Sequence, residues 1–290
     1  MKCKKRLLSL VLAFIISISM SLPSYAAGLS ASFSDQQMLL NDPLYQEFVA
    51  QYGSAHQVSA ETTYVVTEYV KDDDGNVQAI PTAYETLPTE YANPSGISPF
   101  NVSPGGEQSL SFSVIKVTLA YHAPNSSTSV SGNRYYVMSK FEWITLPSPA
   151  AGKTLQGACG LCFDTQLAID GTSYSGHLNG KRNVNGRTVT IDQDLPITAT
   201  SVNGIAGKFS FSHNPTIGGT TIDCVTALSG YVSCIANKTN SGNTHCSALA
   251  EYQDVSVGLM NGLSISFPAG MSFGIGNVTT SYPVQDTLVL

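Results

Sequence analysis

Two cysteines stand at the spacing used by redox and zinc sites, and they are the first residues to consider for chemistry. Cys159 and Cys162 are separated by two residues, and Cys246 lies next to His245, which could supply a further ligand. A thioredoxin-type pair needs a helix N-terminus that lowers the thiol pKa, and a zinc site usually needs two close pairs. Because this region has the pattern of a loop leading into a strand, the sequence favours structural thiols, with zinc binding as an alternative.

Cys224 and Cys234 are candidates for a disulfide. If the intervening residues form a hairpin with the three-residue loop 228–230, the two cysteines face each other across the strands. A two-residue turn at Ser229-Gly230 would shift the register by one and send them to opposite faces. We favour the first register and therefore predict a disulfide between Cys224 and Cys234.

The remaining cysteines of the exported chain, Cys159, Cys162 and Cys246, form a second candidate thiol cluster. Cys3 lies in the N-terminal segment discussed below, which leaves five cysteines, and an odd number leaves at least one thiol unpaired in a monomer. These three are expected to be buried small side chains or to include a second bridge.

Carboxylates are the next class of residue that could do chemistry, because glycoside hydrolysis uses two of them on either side of a sugar bond. Asp192 and Asp194 share one face of a predicted strand, and Glu142 lies beside Trp143 with the opposite parity. Twenty acidic residues in a β-rich chain make such arrangements common, so each is better explained as a solvated strand residue. No catalytic residue is therefore assigned.

Motifs for other classes of catalysis are absent from the sequence. It has no Gly-x-Ser-x-Gly nucleophile elbow, no glycine-rich phosphate loop, no dinucleotide fingerprint and no His-Glu-x-x-His pair, and its five histidines are scattered. We therefore predict no cofactor, no cofactor-binding residue and no metal ligand.

The N-terminal segment has the three parts of a secretory signal peptide. Residues 1–6 are basic, residues 7–22 form an apolar run, and Ser24-Tyr25-Ala26 is a small-x-small cleavage site. The tail at 283–290 has neither an apolar span nor a basic stop-transfer cluster. The sequence thus predicts a signal peptide over residues 1–27 and a secreted, extracellular product with no stable membrane anchor.

Charge is distributed unevenly along the exported chain. Loss of residues 1–27 removes four of the 14 basic residues and none of the 20 acidic ones, so the net charge falls from −6 to −10. Between residues 27 and 107 there are 11 acidic residues and a single base, Lys71. Nucleic acid and acidic lipid are disfavoured as partners, because binding them requires clustered cations. A neutral or cationic partner is expected.

One helix is predicted in the acidic region 28–108. Asn41-Asp42 can cap it, Pro43 suits its first position, and Gly53 follows its apolar stripe. The helix is expected to pack on the body of the protein, and a displaceable N-terminal arm is the alternative.

A hairpin and a linker are predicted after the helix. From Glu61 the pattern alternates with period two, and residues 72–76 form an Asp- and Gly-containing turn between two strands. Five prolines then fall within 81–104, and their missing N–H donors argue against central strands. We place the linker there, which divides the exported chain into an acidic region at 28–108 and a β domain at 109–290.

The β domain is predicted as a succession of short strands rich in Ser, Thr, Val, Tyr and Phe, without crossover helices. Asn179-Gly180, Asn185-Gly186 and other glycine pairs mark expected tight reversals, since Asn-Gly favours positive φ. This spacing is typical of an all-β antiparallel sandwich of jelly-roll-like form, here preceded by the short N-terminal helix.

The strand that contains Trp143 carries a resemblance to a group of proteins. Tyr135, Val137, Phe141 and Trp143 form a Tyr-x-Val then Phe-x-Trp pattern, and an Ala-x-Tyr strand occurs at 250–252. In these features the last 180 residues or so resemble uncharacterised secreted β-rich proteins of Gram-positive bacteria. Because that group has no known function, the resemblance implies a location and a fold but no site residue.

The sequence favours an extracellular binding module, with a neutral glycan as its expected ligand. Tyr, Asn, Ser, Thr and Gly are abundant in the turn regions, where aromatic faces and amide groups suit sugar rings. Two alternatives stay open. One is an extracellular hydrolase that acts on a polysaccharide, and the other is a membrane-active β protein in which segments such as 188–212 convert to amphipathic hairpins.

Overall fold

Two antiparallel sheets make up most of the chain in a computed structural model, which describes residues 33–71, 77–92, 112–125, 133–147, 153–213, 223–261, 263–272 and 275–290. The predicted signal peptide, the hairpin turn at 72–76 and part of the predicted linker lie outside these ranges. Residues 37–290 form one compact unit. Among the helices in the described ranges, none is long and apolar enough to cross a membrane.

Helices occur near the N-terminus of the described chain, and strands form the rest. The helices are α1 (Phe33–Asn41), α2 (Pro43–Tyr52) and α3 (Thr89–Ala92). The strands are β1 (Ala55–Lys71), β2 (Val77–Tyr84), β3 (Phe112–Pro124), β4 (Arg134–Thr145), β5 (Lys153–Phe163), β6 (Leu167–Val184), β7 (Arg187–Asp194), β8 (Ile197–Ser201), β9 (Gly204–His213), β10 (Asp223–Lys238), β11 (His245–Asn261), β12 (Ser264–Ser266), β13 (Gly270–Ser272) and β14 (Ile275–Val289).

The strands assemble into a sandwich. Sheet A has seven strands in the order β2-β1-β3-β4-β10-β6-β7, and sheet B has five in the order β14-β11-β5-β9-β8. The hairpin β12–β13 is a separate two-stranded element. Each strand pairing in the described residues is antiparallel. The predicted all-β antiparallel sandwich with a short N-terminal helix is therefore confirmed.

An aromatic core joins the two sheets. Phe141 from sheet A stacks on Phe209 from sheet B, with ring centroids 5.7 Å apart, and lies 4.6 Å from Tyr252. Trp143 meets Tyr252 edge-on and donates a 3.2 Å hydrogen bond from Nε1 to its hydroxyl. These rings bury large apolar areas while the indole N–H keeps a partner, so they fix the face-to-face packing of the sheets.

The predicted helix signals correspond to α2. Asp42 caps its N-terminus and accepts a 2.9 Å hydrogen bond from the Leu44 N–H, Pro43 opens the helix, and Gly53 ends it with a φ of 78°. Leu44 and Phe48 are buried against sheet A. The amphipathic stripe therefore packs on the body of the protein, as expected for a short helix that gains its stability from tertiary contacts.

The predicted turn at 228–230 does not form, and this changes the expected pairing of cysteines. Strand β10 runs without interruption through these residues, so Cys224 and Cys234 lie on one strand, about 33 Å apart for ten extended residues. A disulfide spans no more than about 7 Å between Cα atoms. The hairpin interpretation was wrong, and both cysteines are free thiols in the structure.

Two glycines that lie inside strands explain why turns predicted from the sequence do not form. Gly230 pairs with Phe141 and with Leu178, and a Cβ there would lie 2.7 Å from the backbone oxygen of His177. Gly180 likewise lies inside β6, where the predicted reversal is absent. Asn185-Gly186, in contrast, forms the predicted two-residue turn between β6 and β7, with φ values of 50° and 78°. Glycine thus serves close strand approach at two sites and a turn at the third.

The predicted hairpin after the helix is confirmed as β1–β2, and it belongs to sheet A. Strand β1 pairs with β2 on one side and with β3 on the other. A strand from the predicted acidic region is thus hydrogen-bonded to a strand of the predicted β domain. The linker at 81–104 falls partly on residues 93–111, outside the described ranges, and the division at residue 108 stays a prediction.

Candidate functional site

The register of sheet A aligns polar side chains in two transverse rows on its outer face, the face turned away from sheet B. Side chains of directly paired residues lie on the same face of an antiparallel sheet. The first row runs Tyr84, Tyr64, Lys116, Glu142, Ser229, Asn179, Asp192, and the second runs Thr62, Thr118, Lys140, Tyr231, His177, Asp194. Sheet A therefore brings polar and ionisable side chains of β4, β6, β7 and β10 together on its outer face.

The candidate site is the exposed end of these rows together with the neighbouring pair Lys181 and Thr190, and we call it the polar patch. It consists of side chains from four adjacent strands, which are Glu142, His177, Asn179, Lys181, Thr190, Asp192, Asp194 and Ser229. Exposure rises toward the sheet edge, from 38% for the Glu142 side chain to 71% for Asp192 and 97% for Asp194. Strand β7 is the edge strand of sheet A, so solvent reaches the patch from that side.

Hydrogen bonds and ion pairs orient the acidic groups of the patch. His177 Nε2 lies 2.8 Å from Asp192 Oδ1, and its Nδ1 lies 3.5 Å from Asp194 Oδ1. Lys140, which is buried, lies 3.6 Å from Glu142 Oε2. Each carboxylate therefore has a basic neighbour and still keeps oxygen lone pairs that can accept hydrogen bonds from a ligand.

A shallow depression of about 280 Å³ lies within the patch. Its rim carries a carboxylate, an amide, hydroxyls and an ammonium group, from Glu142, Asn179, Ser229, Thr190 and Lys181. The small side chain of Ala227 leaves space on its floor. The depression thus offers both donors and acceptors over an area comparable to one small ring, without a deep enclosed cavity.

Helix α2 borders the patch on one side. Tyr231 packs in an apolar cluster with Leu44 and Phe48, while its ring lies 6.2 Å from that of His177. Burial, with a further contribution from the Asp42 carboxylate, raises the pKa of Tyr231 above its usual value. Tyr231 is therefore uncharged and lies between the part of the outer face that α2 covers and the exposed polar patch.

The carboxylates singled out in the sequence lie on one face, but Glu142 is not at hydrolytic spacing from Asp192. Glu142 and Asp192 occupy the same row three strands apart, about 14 Å at an interstrand distance near 4.8 Å. Glycoside hydrolases place their two carboxyl groups at roughly 5–9.5 Å. Asp192 and Asp194 are closer together, yet both lie on the exposed edge strand and both contact His177.

The cysteines are positioned as core side chains. Cys159 faces sheet A and Cys162 faces the opposite side of sheet B, because residues three apart on a strand point to opposite faces. Cys246 lies in the central core with Cys159. Burial raises the pKa of Cys159 and of Cys162 to about 12. Within the described residues no group of three or more His, Cys, Asp or Glu side chains is arranged to hold a metal ion.

Five members of the patch were not singled out as candidate site residues in the sequence, and three of them, His177, Asn179 and Lys181, belong to β6. All three alternate along β6 on the outer face, a signal that a period-two count could have found. Their relation to Glu142 depends on the order β4-β10-β6-β7, which joins strands distant in the chain. Asn179 was also assigned to a turn, which removed it from consideration as a surface residue of a strand.

Comparisons with known proteins give no family. No protein-family model and no curated protein matches the sequence. Solved structures with similar arrangements include the collagen-binding domain from a Staphylococcus aureus adhesin, at 9% identity over 55% of this chain and 90% of that chain, with a TM-score of 0.27.

Two further solved structures are similar to the same extent. The collagen binding subdomain of the Enterococcus faecalis surface protein ACE has 10% identity over 53% of this chain and 85% of that chain, with a TM-score of 0.25. A structure described as a pore forming protein has 10% identity over 64% and 93%, with a TM-score of 0.28. At these TM-scores the likenesses carry no inference about function.

Proposed function

We propose that this protein is an extracellular binding module whose polar patch holds a neutral glycan. The observation that carries the proposal is the alignment of eight polar side chains on an exposed sheet face, around a depression that is open to solvent. The extracellular location rests on the predicted signal peptide over residues 1–27.

The chemistry of the patch suits sugar hydroxyl groups. A hydroxyl both donates and accepts, so its binding site needs groups of both kinds. Glu142 and Asp192 supply acceptors, Lys181 supplies donors, and Asn179 supplies one of each. Because acidic and basic groups alternate across the patch, a polyanion or polycation gains little from it, whereas an uncharged polar ligand can engage the groups in pairs.

The distance between Glu142 and Asp192, and the exposure of Asp192 and Asp194, favour binding over hydrolysis. The Glu142 and Asp192 side chains project from strands about 14 Å apart, which is wider than the span of a single glycosidic bond between two catalytic groups. Asp192 and Asp194 have high exposure, so neither lies in the apolar surroundings typical of a general acid.

The test is retention of the secreted, signal-free protein on a panel of insoluble neutral polysaccharides, with the supernatant assayed for released sugar. Asn179→Ala should reduce retention about tenfold, because one buried donor–acceptor pair with the ligand is lost. Thr200→Ala is the matched control, since Thr200 is an exposed strand residue of sheet B. It should leave retention unchanged.

Each outcome has a defined meaning. Retention that is sensitive to Asn179→Ala and insensitive to Thr200→Ala supports the patch as the binding site. Equal retention of both variants would place glycan binding elsewhere on the molecule. Release of soluble sugar would show hydrolysis, and absence of retention on every polysaccharide would overturn the proposal.

A further inference from the structure

We infer that the depression in the polar patch is a subsite for an N-acetylated amino sugar, an inference that rests on the proposed glycan-binding function. An acetamido group presents three features at once: an N–H donor, a carbonyl acceptor and a methyl group. The depression offers a counterpart to each of the three within a volume of about 280 Å³.

The acceptor for the acetamido N–H is the carboxylate of Glu142. Lys140 lies 3.6 Å from its Oε2, which leaves Oε1 for a ligand. The side chain is 38% exposed and lines the depression. A hydrogen bond from an amide N–H to an ionised carboxylate is stronger than one between neutral groups, so this contact can contribute to specificity.

Donors for the acetamido carbonyl are present on β6. Lys181 and Asn179 stand two residues apart on the same outer face, and both line the depression. Among the residues that the structure describes, Lys181 makes no ion pair with an acidic side chain. Its ammonium group is thus available to a carbonyl oxygen of the ligand.

Apolar surface for the methyl group lies next to these polar groups. Ala227 is exposed and lines the depression, and its single methyl leaves room above it. A methyl group seated on Ala227 would remove apolar area of both groups from water.

The same three features predict what the subsite rejects. A sugar with a hydroxyl in place of the acetamido group leaves Ala227 in contact with water and lacks the carbonyl that meets Lys181. A free amine keeps a donor next to Glu142 but lacks both that carbonyl and the methyl group. Both changes remove favourable contacts, so acetylation is the property that the depression recognises.

The experiment is calorimetric titration of the signal-free protein with three soluble oligosaccharides of equal length: β-1,4-linked N-acetylglucosamine, its fully deacetylated form, and β-1,4-linked glucose. The acetylated oligomer should bind at least about tenfold more tightly than either of the others. Glu142→Gln and Ala227→Ser should each reduce that preference, whereas Thr200→Ala should leave it intact. Circular dichroism of each variant establishes that it is folded.

The outcomes separate this inference from the proposed function. Equal affinity for the three oligomers, or a preference that survives Glu142→Gln and Ala227→Ser together, would overturn the acetamido subsite while glycan binding stands. Tighter binding of the glucose oligomer would also overturn it. If none of the three binds and the polysaccharide panel also retains nothing, both proposals fail.

Discussion

The outer faces of the two sheets are covered in similar ways over part of their area. On sheet A, helix α2 packs over Tyr136, Met138 and Ile235, whereas on sheet B the hairpin β12–β13 packs over Cys162 and its neighbours. We call this helix and this hairpin the covers of the two sheets. In both cases a buried carboxylate makes hydrogen bonds that join the cover to the sheet. Beyond its cover, sheet A extends to the polar patch at the β7 edge.

The two buried carboxylates show how the covers are held. Asp42 accepts hydrogen bonds from the hydroxyls of Tyr136, at 2.5 Å, and Ser233, at 2.6 Å. Glu251 accepts from the Met271 N–H at 2.6 Å and from the Gln253 side chain at 2.7 Å. A buried carboxylate is tolerated only when its lone pairs are satisfied, so these acids have a structural role.

The exposed carboxylates of the patch have fewer hydrogen-bond partners within the protein than the two buried carboxylates. Asp192 and Asp194 share His177, and solvent reaches the rest of their oxygens. The four acidic residues compared thus fall into two groups. Asp42 and Glu251 are enclosed by hydrogen-bond donors and hold the covers in place. Asp192 and Asp194 lie at the sheet edge, where their oxygen atoms are accessible to a ligand.

Removal of Phe48 from the cover of sheet A should have the largest effect on stability. Phe48, a residue of α2, is fully buried, and its ring centroid lies 6.3 Å from that of Tyr136. We expect Phe48→Ala to lower the free energy of unfolding by about 3–5 kcal/mol, through lost burial and a cavity. Leu40→Ala is the control, because Leu40 is 58% exposed. Denaturant titration measures both, and equal small losses would mean that the cover is not packed as described.

Acid should weaken the same cover through His122. Burial, with a smaller contribution from His56, lowers the pKa of His122 from 6.5 to about 4. Because the folded pKa lies below the unfolded one, the stability it contributes is present above about pH 6.5 and is lost as the pH falls toward about 4. The loss is about 3 kcal/mol for this shift.

His122→Phe provides the comparison for that titration. A phenyl ring keeps the edge-on packing of His122 with Tyr45 and Tyr136 but cannot be protonated. The variant should therefore lose less stability than the parent between pH 6.5 and pH 4, in denaturant titrations at several pH values. Parallel curves for the two proteins would contradict the assignment.

Isosteric amide variants should separate the buried carboxylates from the exposed ones. Asp42→Asn and Glu251→Gln each replace an acceptor oxygen by an amide nitrogen that cannot accept, so we expect a loss of about 1–3 kcal/mol in each. Asp192→Asn, at a 71% exposed position, should change stability by less than about 0.5 kcal/mol. Thermal and chemical unfolding measure the series. A loss for Asp192→Asn as large as the other two would remove the distinction between the two groups.

For the cover of sheet B, the smallest expected difference is the one between Gly270→Ala and Gly186→Ala. Gly270 has a φ of 74°, and an added Cβ would overlap Glu251 Oε2. Gly186 has a similar φ of 78° with open space around it, so Gly186→Ala isolates the backbone cost of about 1 kcal/mol. Gly270→Ala should cost about 1–2 kcal/mol more, through displacement of the carboxylate. Similar losses for the two variants would show that Glu251 moves aside freely.

Local signals in the sequence were sufficient for several elements. The Asp42-Pro43 start and Gly53 end of α2 depend on backbone groups within one turn, and the two-residue loop at Asn185-Gly186 depends on positive φ at those residues. Each of these features is decided by neighbours in sequence, so a single chain is enough to predict it.

The long strand β10 shows where local signals fail. Ser229-Gly230 has turn chemistry, yet it continues in extended conformation because β4 and β6 supply hydrogen-bond partners on both sides. Partners more than forty residues away along the chain outweigh the local preference, since each ladder bond lost would leave a buried backbone group unsatisfied. The disulfide prediction was wrong for the same reason.

The sequence by itself determined the all-β class, the capped N-terminal helix, the absence of common catalytic motifs and the acidic character of the exported chain. These follow from composition, periodicity and local backbone preferences. Only the tertiary structure decided which acids are buried and which are exposed, and that Glu142, Asn179 and Asp192 share one row. The physical reason is that strand order and register join residues far apart in the chain, and no local interaction encodes that order.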